Sequence, residues 1–244
     1  MSAAFEPLPF APGYRRVAGE IAARILDRTL KVGESLPSEL ELATQFGVNR
    51  SMIREALREL ESADLIARRR GTKRLVVVRP AAAQIAGRLR QAFALHDVTV
   101  REVWEMLEVL EPPAAQAAAA ARTAATLRRI EEAVAAYRAG QREARRAVDG
   151  VGEFFRAIAG ASGNRVLPLM QEPLLQLLTA ALGVLIEAAP PARERIAVAQ
   201  ERICAAIGDG NGELARDWMA KHVRDFRRGF EFCRIELNTP VPFG

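Results

Sequence analysis

The chain has little of what most catalytic and metal centres are built from. Two cysteines and two histidines are present, Cys204, Cys233, His96 and His222. Two thiols far apart on helix-forming segments read as reduced core or semi-buried residues rather than a disulfide framework. Two histidines supply neither a His-rich metal site nor a His-based catalytic centre. There is no notable Cys–His or Ser–His spacing, and no Gly-rich phosphate loop following a strand. No apolar run approaches the roughly 18 residues of a membrane span, and no basic stretch leads into an apolar leader. An enzyme, a secreted protein and a membrane protein are therefore all poor readings, and a cytoplasmic protein without a cofactor is expected. An all-helical enzyme working with carboxylates alone is the enzymatic reading that stays open.

What is present is a core and an uneven charge. Half of the 244 residues are hydrophobic and 27% are charged, which supports a packed interior. The length suits two modest domains. Residues 1–80 carry 14 Lys and Arg against 10 Asp and Glu, while residues 81–244 carry 21 against 20. Most of the net charge of +5 therefore sits in the first third, which points to an anionic partner there.

The first third reads as helix, helix, turn, helix, hairpin. Residues 1–13, rich in Pro and Ala, are expected to form a flexible arm. From Tyr14 to Thr29 the apolar residues Val17, Ile21, Ala22 and Ile25 recur at helical spacing. Leu36-Pro37-Ser38 leads into a short helix, with Pro37 near its first turn and Glu39 toward its positive end. That helix ends at Phe46-Gly47, where glycine allows a tight turn. Asn49 is suited to cap a third helix, whose Ile53, Ala56, Leu57 and Leu60 mark a buried face. Beyond Asp64 the period changes: Leu65-Ile66-Ala67, then Arg68-Arg69-Arg70-Gly71-Thr72, then Leu75-Val76-Val77-Val78 predict a two-stranded hairpin.

The third helix carries Arg50 and Arg54 on one face of its first two turns, with almost no compensating acid. A helix that packs one face and keeps a cationic tip is what a helix-turn-helix presents to the major groove. Arginine can hydrogen-bond both acceptors of a guanine edge or neutralise phosphate. Asn49 and Ser51 can reach phosphate or base, although Asn49 has a sufficient role as a cap. Arg58 is expected to pair with Glu55 or Glu61 instead. The basic hairpin would lie along the DNA backbone as a wing.

These residues resemble the winged-helix domain of the GntR family of bacterial transcription regulators. The resemblance covers residues 14–79. It rests on Leu36-Pro37-Ser38-Glu39, Leu42-Ala43, Phe46-Gly47-Val48, Arg50, Arg54-Glu55-Ala56-Leu57, Leu60-Glu61, Leu65-Ile66 and the wing glycine Gly71. It implies DNA contacts from Asn49, Arg50, Ser51 and Arg54, and from Arg70 and Gly71 at the wing tip. The family often has Arg where this chain has Leu40, so one usual contact is missing.

From residue 82 onward the chain is Ala-rich and reads as helices over 82–95, 99–121, 124–138, 141–161, 165–187, 191–207 and 212–236. Short loops between amphipathic helices predict an antiparallel bundle. This part resembles the FadR-like branch of the same family, whose C-terminal FCD domain is a ligand-sensing and dimerising helical bundle. Leu110-Glu111-Pro112, Phe155 and Ser162-Gly163-Asn164 carry that resemblance. The expected fold is therefore mostly α. It consists of an arm (1–13), a winged helix-turn-helix with a small β-hairpin (14–80), an all-α antiparallel bundle (81–236) and a tail (237–244).

Many relatives in this branch hold a divalent metal through an Asp, a His four residues later, and one His on each of the last two helices. The matching positions here are Gly152, Arg156, Gln200 and His222, so the expectation is no metal. The resemblance then implies an effector pocket in which Arg156, Gln200 and His222 receive an organic anion, for which a guanidinium fork is suited. The competing reading pairs Arg156 with Glu153 or Glu201. Trp104, Tyr137 and Trp218 line the pocket or fill the core. Gly208-Asp209-Gly210-Asn211-Gly212 starts like a calcium loop but lacks the later ligands, so it joins two helices.

The function expected is a ligand-responsive regulator, a repressor that binds a palindromic operator on double-stranded DNA as a homodimer. The rival is a winged-helix scaffold that binds protein rather than specific DNA. The discriminating property is steep loss of DNA affinity with salt.

Overall fold

The computed structural model describes residues 13–69, 71–72, 74–234 and 236–240. The expected arm lies outside them apart from Gly13, and so does most of the expected tail. The chain folds as two compact units that divide between Ala81 and Ala82.

The first unit has three helices, α1 (Gly13–Leu26), α2 (Glu39–Phe46) and α3 (Arg50–Ser62), followed by strands β1 (Ile66–Arg68) and β2 (Leu75–Val77). Helix α2 starts at Glu39, just after the Leu36-Pro37-Ser38 loop. Ser38 is the N-cap, in a capping box where the Glu41 amide donates to Ser38 Oγ and the Ser38 amide donates to Glu41 Oε2. Pro37 thus stands immediately before the N-cap, next to the first turn. Gly47 takes φ 64° and stops α2. Two residues on, the Asn49 side chain accepts from the Met52 amide at 2.9 Å and starts α3.

Ile53, Ala56, Leu57 and Leu60 of α3 are buried against Val17, Ala18 and Ile21 of α1 and Leu42 and Ala43 of α2. Burial of each large aliphatic side chain is worth about 1.5–3 kcal/mol, so the α3 orientation is fixed by its inner face. The strands pair antiparallel, Ile66 with Val77 and Arg68 with Leu75, and their inward residues Ile66 and Val77 close the same core.

The second unit is all helical: α4 (Ala82–Leu95), α5 (Val100–Ala121), α6 (Ala124–Gly140), α7 (Ala144–Ala161), α8 (Leu167–Ala188), α9 (Pro190–Gly208) and α10 (Gly212–Phe232). Helix α5 packs against α7, α8, α9 and α10, and α6 bridges α7 and α9. The core contains Trp104, Tyr137, Phe154, Phe155, Phe226 and Phe230 among many aliphatics. Two boundaries of this unit depart from expectation by more than two residues. Helix α7 begins at Ala144 rather than 141, and α10 stops at Phe232 rather than 236, where Arg234 takes φ 55° and breaks the helical run. Leu237 packs back on the core, and its carbonyl accepts from the Arg101 amide at 2.9 Å.

Candidate functional site

Two regions carry the chemistry, one in each unit. In the first, the N-terminal end of α3 presents Arg50 and Arg54 with side chains 58% and 56% exposed. A single carboxylate holds both: Glu39 Oε2 lies 2.8 Å from Arg54 Nε and 3.6 Å from Arg50 Nη2. The hydrogen bond from Arg54 keeps the Glu39 carboxyl below its ordinary range. An exposed pair of this kind is worth about 0–1 kcal/mol, so its effect is positional rather than stabilising. It engages Arg54 through Nε, and no hydrogen bond to a described residue occupies the terminal nitrogens.

Ser51 is exposed beside them, Asn49 is used as the cap, and Arg58 donates to Glu55 at 2.7 Å. Glu61 is taken by Arg68 at 3.7 Å. A groove of about 780 Å³ runs beside α3, lined by Ser38, Leu40, Gln45, Arg50, Arg68 and Arg74. Leu40 is 61% exposed there, an uncovered apolar side chain. Gly71 turns the hairpin at φ 76°, and the Thr72 amide donates to the Arg69 carbonyl across it. Arg70 lies outside the described residues.

In the second unit, the polar groups named from the sequence have unequal settings. His222 on α10 is 2% exposed, its ring parallel to Phe155 at 5.8 Å and 4.7 Å from Phe226. Burial pushes its pKa down to about 3, so the imidazole is neutral, and Nε2 has no hydrogen-bond partner among the described residues. Gln200 on α9 is fully buried, and both its amide nitrogen and its oxygen are likewise unpartnered. Buried polar atoms are rarely left so, and groups of this kind mark a place for water or ligand.

Arg156 is committed. Its Nε and Nη2 donate to the two oxygens of Glu172 at 2.8 and 3.1 Å, and Nη1 donates to Glu153 at 2.9 Å. Burial pushes the Glu172 carboxyl up, but the hydrogen bonds from Arg156 and Gln176 and the Arg156 charge outweigh it and hold it ionised. Glu201, the other partner considered for Arg156, binds Arg138 instead. The small cavity that His222 lines contains neither Arg156 nor Gln200. Removing Arg156 leaves Glu172, with a side chain only 10% exposed, without its fork. Arg156→Ala is expected to cost about 1–3 kcal/mol, and the loss should shrink by half or more when Glu172→Gln is combined with it. Urea unfolding of the two single variants and the double variant measures this.

The donor set does not fit a metal. Gly152 offers no ligand, and a Cβ there would sit 3.1 Å from Arg156 Nη1. No group of three or more His, Cys, Asp or Glu among the described residues is arranged to hold an ion. The aromatic residues divide clearly. Trp104 and Tyr137 are core, with the Tyr137 hydroxyl donating to the Arg193 carbonyl, while Trp218 is half-buried under Lys221. A further acid, given no role from the sequence beyond its place in the Leu110-Glu111-Pro112 resemblance, lies at the centre. Glu111 is fully buried, receives Gln171 Nε2 on both oxygens at 2.8 and 3.0 Å, and is pushed up to about 8 by desolvation.

Comparison with known proteins agrees with both regions. Residues 13–76 match the profile "Bacterial regulatory proteins, gntR family", and residues 102–225 match the FCD domain. The regulator LutR of Bacillus subtilis is 28% identical over 198 residues, covering 80% of this chain and 90% of LutR. The mannosyl-D-glycerate transport/metabolism repressor MngR of Escherichia coli is 42% identical over 55 residues, 22% of this chain and only 23% of MngR. A solved Streptococcus agalactiae GntR structure superposes with a TM-score of 0.66 at 24% identity, covering 88% of this chain and 99% of that one. With the helix-turn-helix, the wing and the all-helical second unit all accounted for, the chain belongs to the GntR family of bacterial transcription regulators, in the branch that carries an FCD domain.

Proposed function

We propose that this protein is a ligand-responsive repressor. It acts in the cytoplasm as a homodimer on a palindromic operator, and it senses a small organic anion in its helical bundle. The carrying observation is the tip of α3, where Arg50 and Arg54 stand more than half exposed with their guanidiniums held at one edge by Glu39. Asn49, Ser51 and Gly71 add to the surface offered to DNA, and Arg70, outside the described residues, is expected to bind DNA as the resemblance implies. A dimer places two such tips on inverted half-sites, and the spacing of those sites is then a geometric constant.

In the bundle, the buried groups unpartnered among the described residues include the Gln200 amide, His222 Nε2 and Trp104 Nε1, and the first two are the ones offered to an effector. Arg156 enters through its exposed Glu153 pair, which an incoming carboxylate can replace at little cost. Effector and operator are coupled only by the difference in effector affinity between the arrangements of the dimer.

Operator selection from random duplexes followed by fluorescence anisotropy tests the reading. Inverted half-sites bound by two chains are expected, with affinity falling at least about tenfold when roughly half a helical turn is inserted between them. Full-affinity binding of one chain to one half-site would overturn the dimer. Binding indifferent to sequence and salt would favour the scaffold reading.

A further inference from the structure

The turn joining α8 to α9 and the final turns of α10 enclose a cavity of about 460 Å³. Its walls include Pro190, Pro191, Arg195, Asp225, Arg228 and Phe232. A second, much smaller cavity of about 10 Å³, room for roughly one water, adjoins it. The two share Ala192, Arg195, Asp225 and Gly229, and the far wall of the smaller one is formed by His222 and Phe226. The residues shared by the two cavities thus stand between an open vestibule and the small space beside His222, whose Nε2 is buried and unpartnered among the described residues.

The vestibule has the chemistry of an anion mouth. Arg195 is exposed and makes no hydrogen bond or ion pair among the described residues. Arg228 is 77% exposed and only loosely held, 3.6 Å from Asp225. Two guanidiniums against one carboxylate leave an excess positive charge. The other walls are proline, alanine and glycine with Phe232, which is 85% exposed. A guanidinium beside an apolar wall selects a carboxylate that carries a flat or branched hydrocarbon body.

Resting on the reading of the bundle as an effector sensor, we propose that this vestibule is its entry and anion anchor. A small monocarboxylate with an apolar body binds there. Its carboxylate lies on Arg195 and Arg228, its body lies between Pro190, Pro191 and Phe232, and at most one polar atom reaches His222. The rim, at α9 and α10, thus supplies permanent charge at the point of entry, apart from Arg156, whose Nε and Nη2 stay on Glu172.

Isothermal titration calorimetry on the full chain tests this, with benzoate, phenylacetate, L-lactate and succinate as sodium salts and benzamide as the uncharged control. At least one aromatic acid is expected to bind with a Kd of about 1 mM or tighter, and benzamide more weakly. Arg195→Gln and Arg228→Gln, both exposed positions, are each expected to weaken the acid about tenfold and leave benzamide unchanged. Acid binding that is unchanged in both arginine variants but lost in His222→Leu would overturn the vestibule and leave sensing inside the bundle intact. If none of the four acids binds the wild-type chain, both the vestibule and the organic-acid reading fall.

Discussion

Replacing Arg50 and Arg54 together by alanine is expected to lower affinity for the selected operator by about 30- to 10,000-fold, with the fold unchanged. Each arginine placed against a base edge contributes about 1–3 kcal/mol of discrimination, and the two stand on one face of the same helix end. Neither belongs to the core, since the buried face of α3 is Ile53, Ala56, Leu57 and Leu60. Their partner within the chain is Glu39, in an exposed arrangement of little energetic weight. Melting should therefore move by no more than about 0.5 kcal/mol equivalent. Anisotropy with the operator, and circular dichroism for the fold, measure the two quantities separately. The loss should fall mainly on specific over random DNA. If both arginines bind phosphate instead, the losses will be equal for the two DNAs, and the slope of log affinity against log salt will drop by about two.

The second large effect is a stability profile set by two buried groups with opposite signs. Glu111 is pushed up to about 8 from its ordinary 4.5, so the folded protein holds a proton there that the unfolded chain releases. Its contribution is complete below 4.5 and is lost as pH rises toward 8, at about 1.4 kcal/mol per pH unit and on the order of 5 kcal/mol in total. His222 is pushed down to about 3 from 6.5, so its contribution is complete above 6.5 and is lost as pH falls toward 3. Between pH 4.5 and 6.5 the two slopes oppose and cancel, which gives a plateau with losses on either side. Glu111→Gln keeps an acceptor for Gln171 and removes the titration. Its stability should rise up to about pH 6.5 and stay level above it, exceeding the wild type by about 3 kcal/mol or more at pH 8.5. Urea unfolding at pH 5.5, 7.0 and 8.5 measures this, and parallel profiles for the two proteins would contradict it.

Features governed by local spacing were legible in the sequence. The start of α3 at the Asn49 cap, the Gly47 stop and the strand pair around Gly71 follow from residues within four positions of one another. The capping box of α2 was equally legible in Ser38-x-x-Glu41, though the sequence reading used only Pro37 and Glu39 to place the helix start. Ion pairing shows where spacing stops being informative. Arg58 with Glu55 and Arg156 with Glu153 are pairs three residues apart. Glu39 with Arg54, and Glu172 with Arg156, span 15 and 16 residues and depend on how one helix is rotated against the next. That phase is set by core packing. The same reason hid the central place of Glu111, whose partner Gln171 is 60 residues away.

The account depends most on arginine at the end of α3 meeting guanine in the major groove. In the selected operator, each guanine can be replaced singly by 7-deazaguanine, which lacks the N7 acceptor, and affinity measured for wild type, Arg50→Ala and Arg54→Ala. The prediction is that one or more guanines in each half-site cost the wild type about tenfold, some 1.4 kcal/mol, and that the penalty vanishes in one of the two variants. An operator indifferent to every replacement, or a penalty that persists undiminished in both variants, would contradict it.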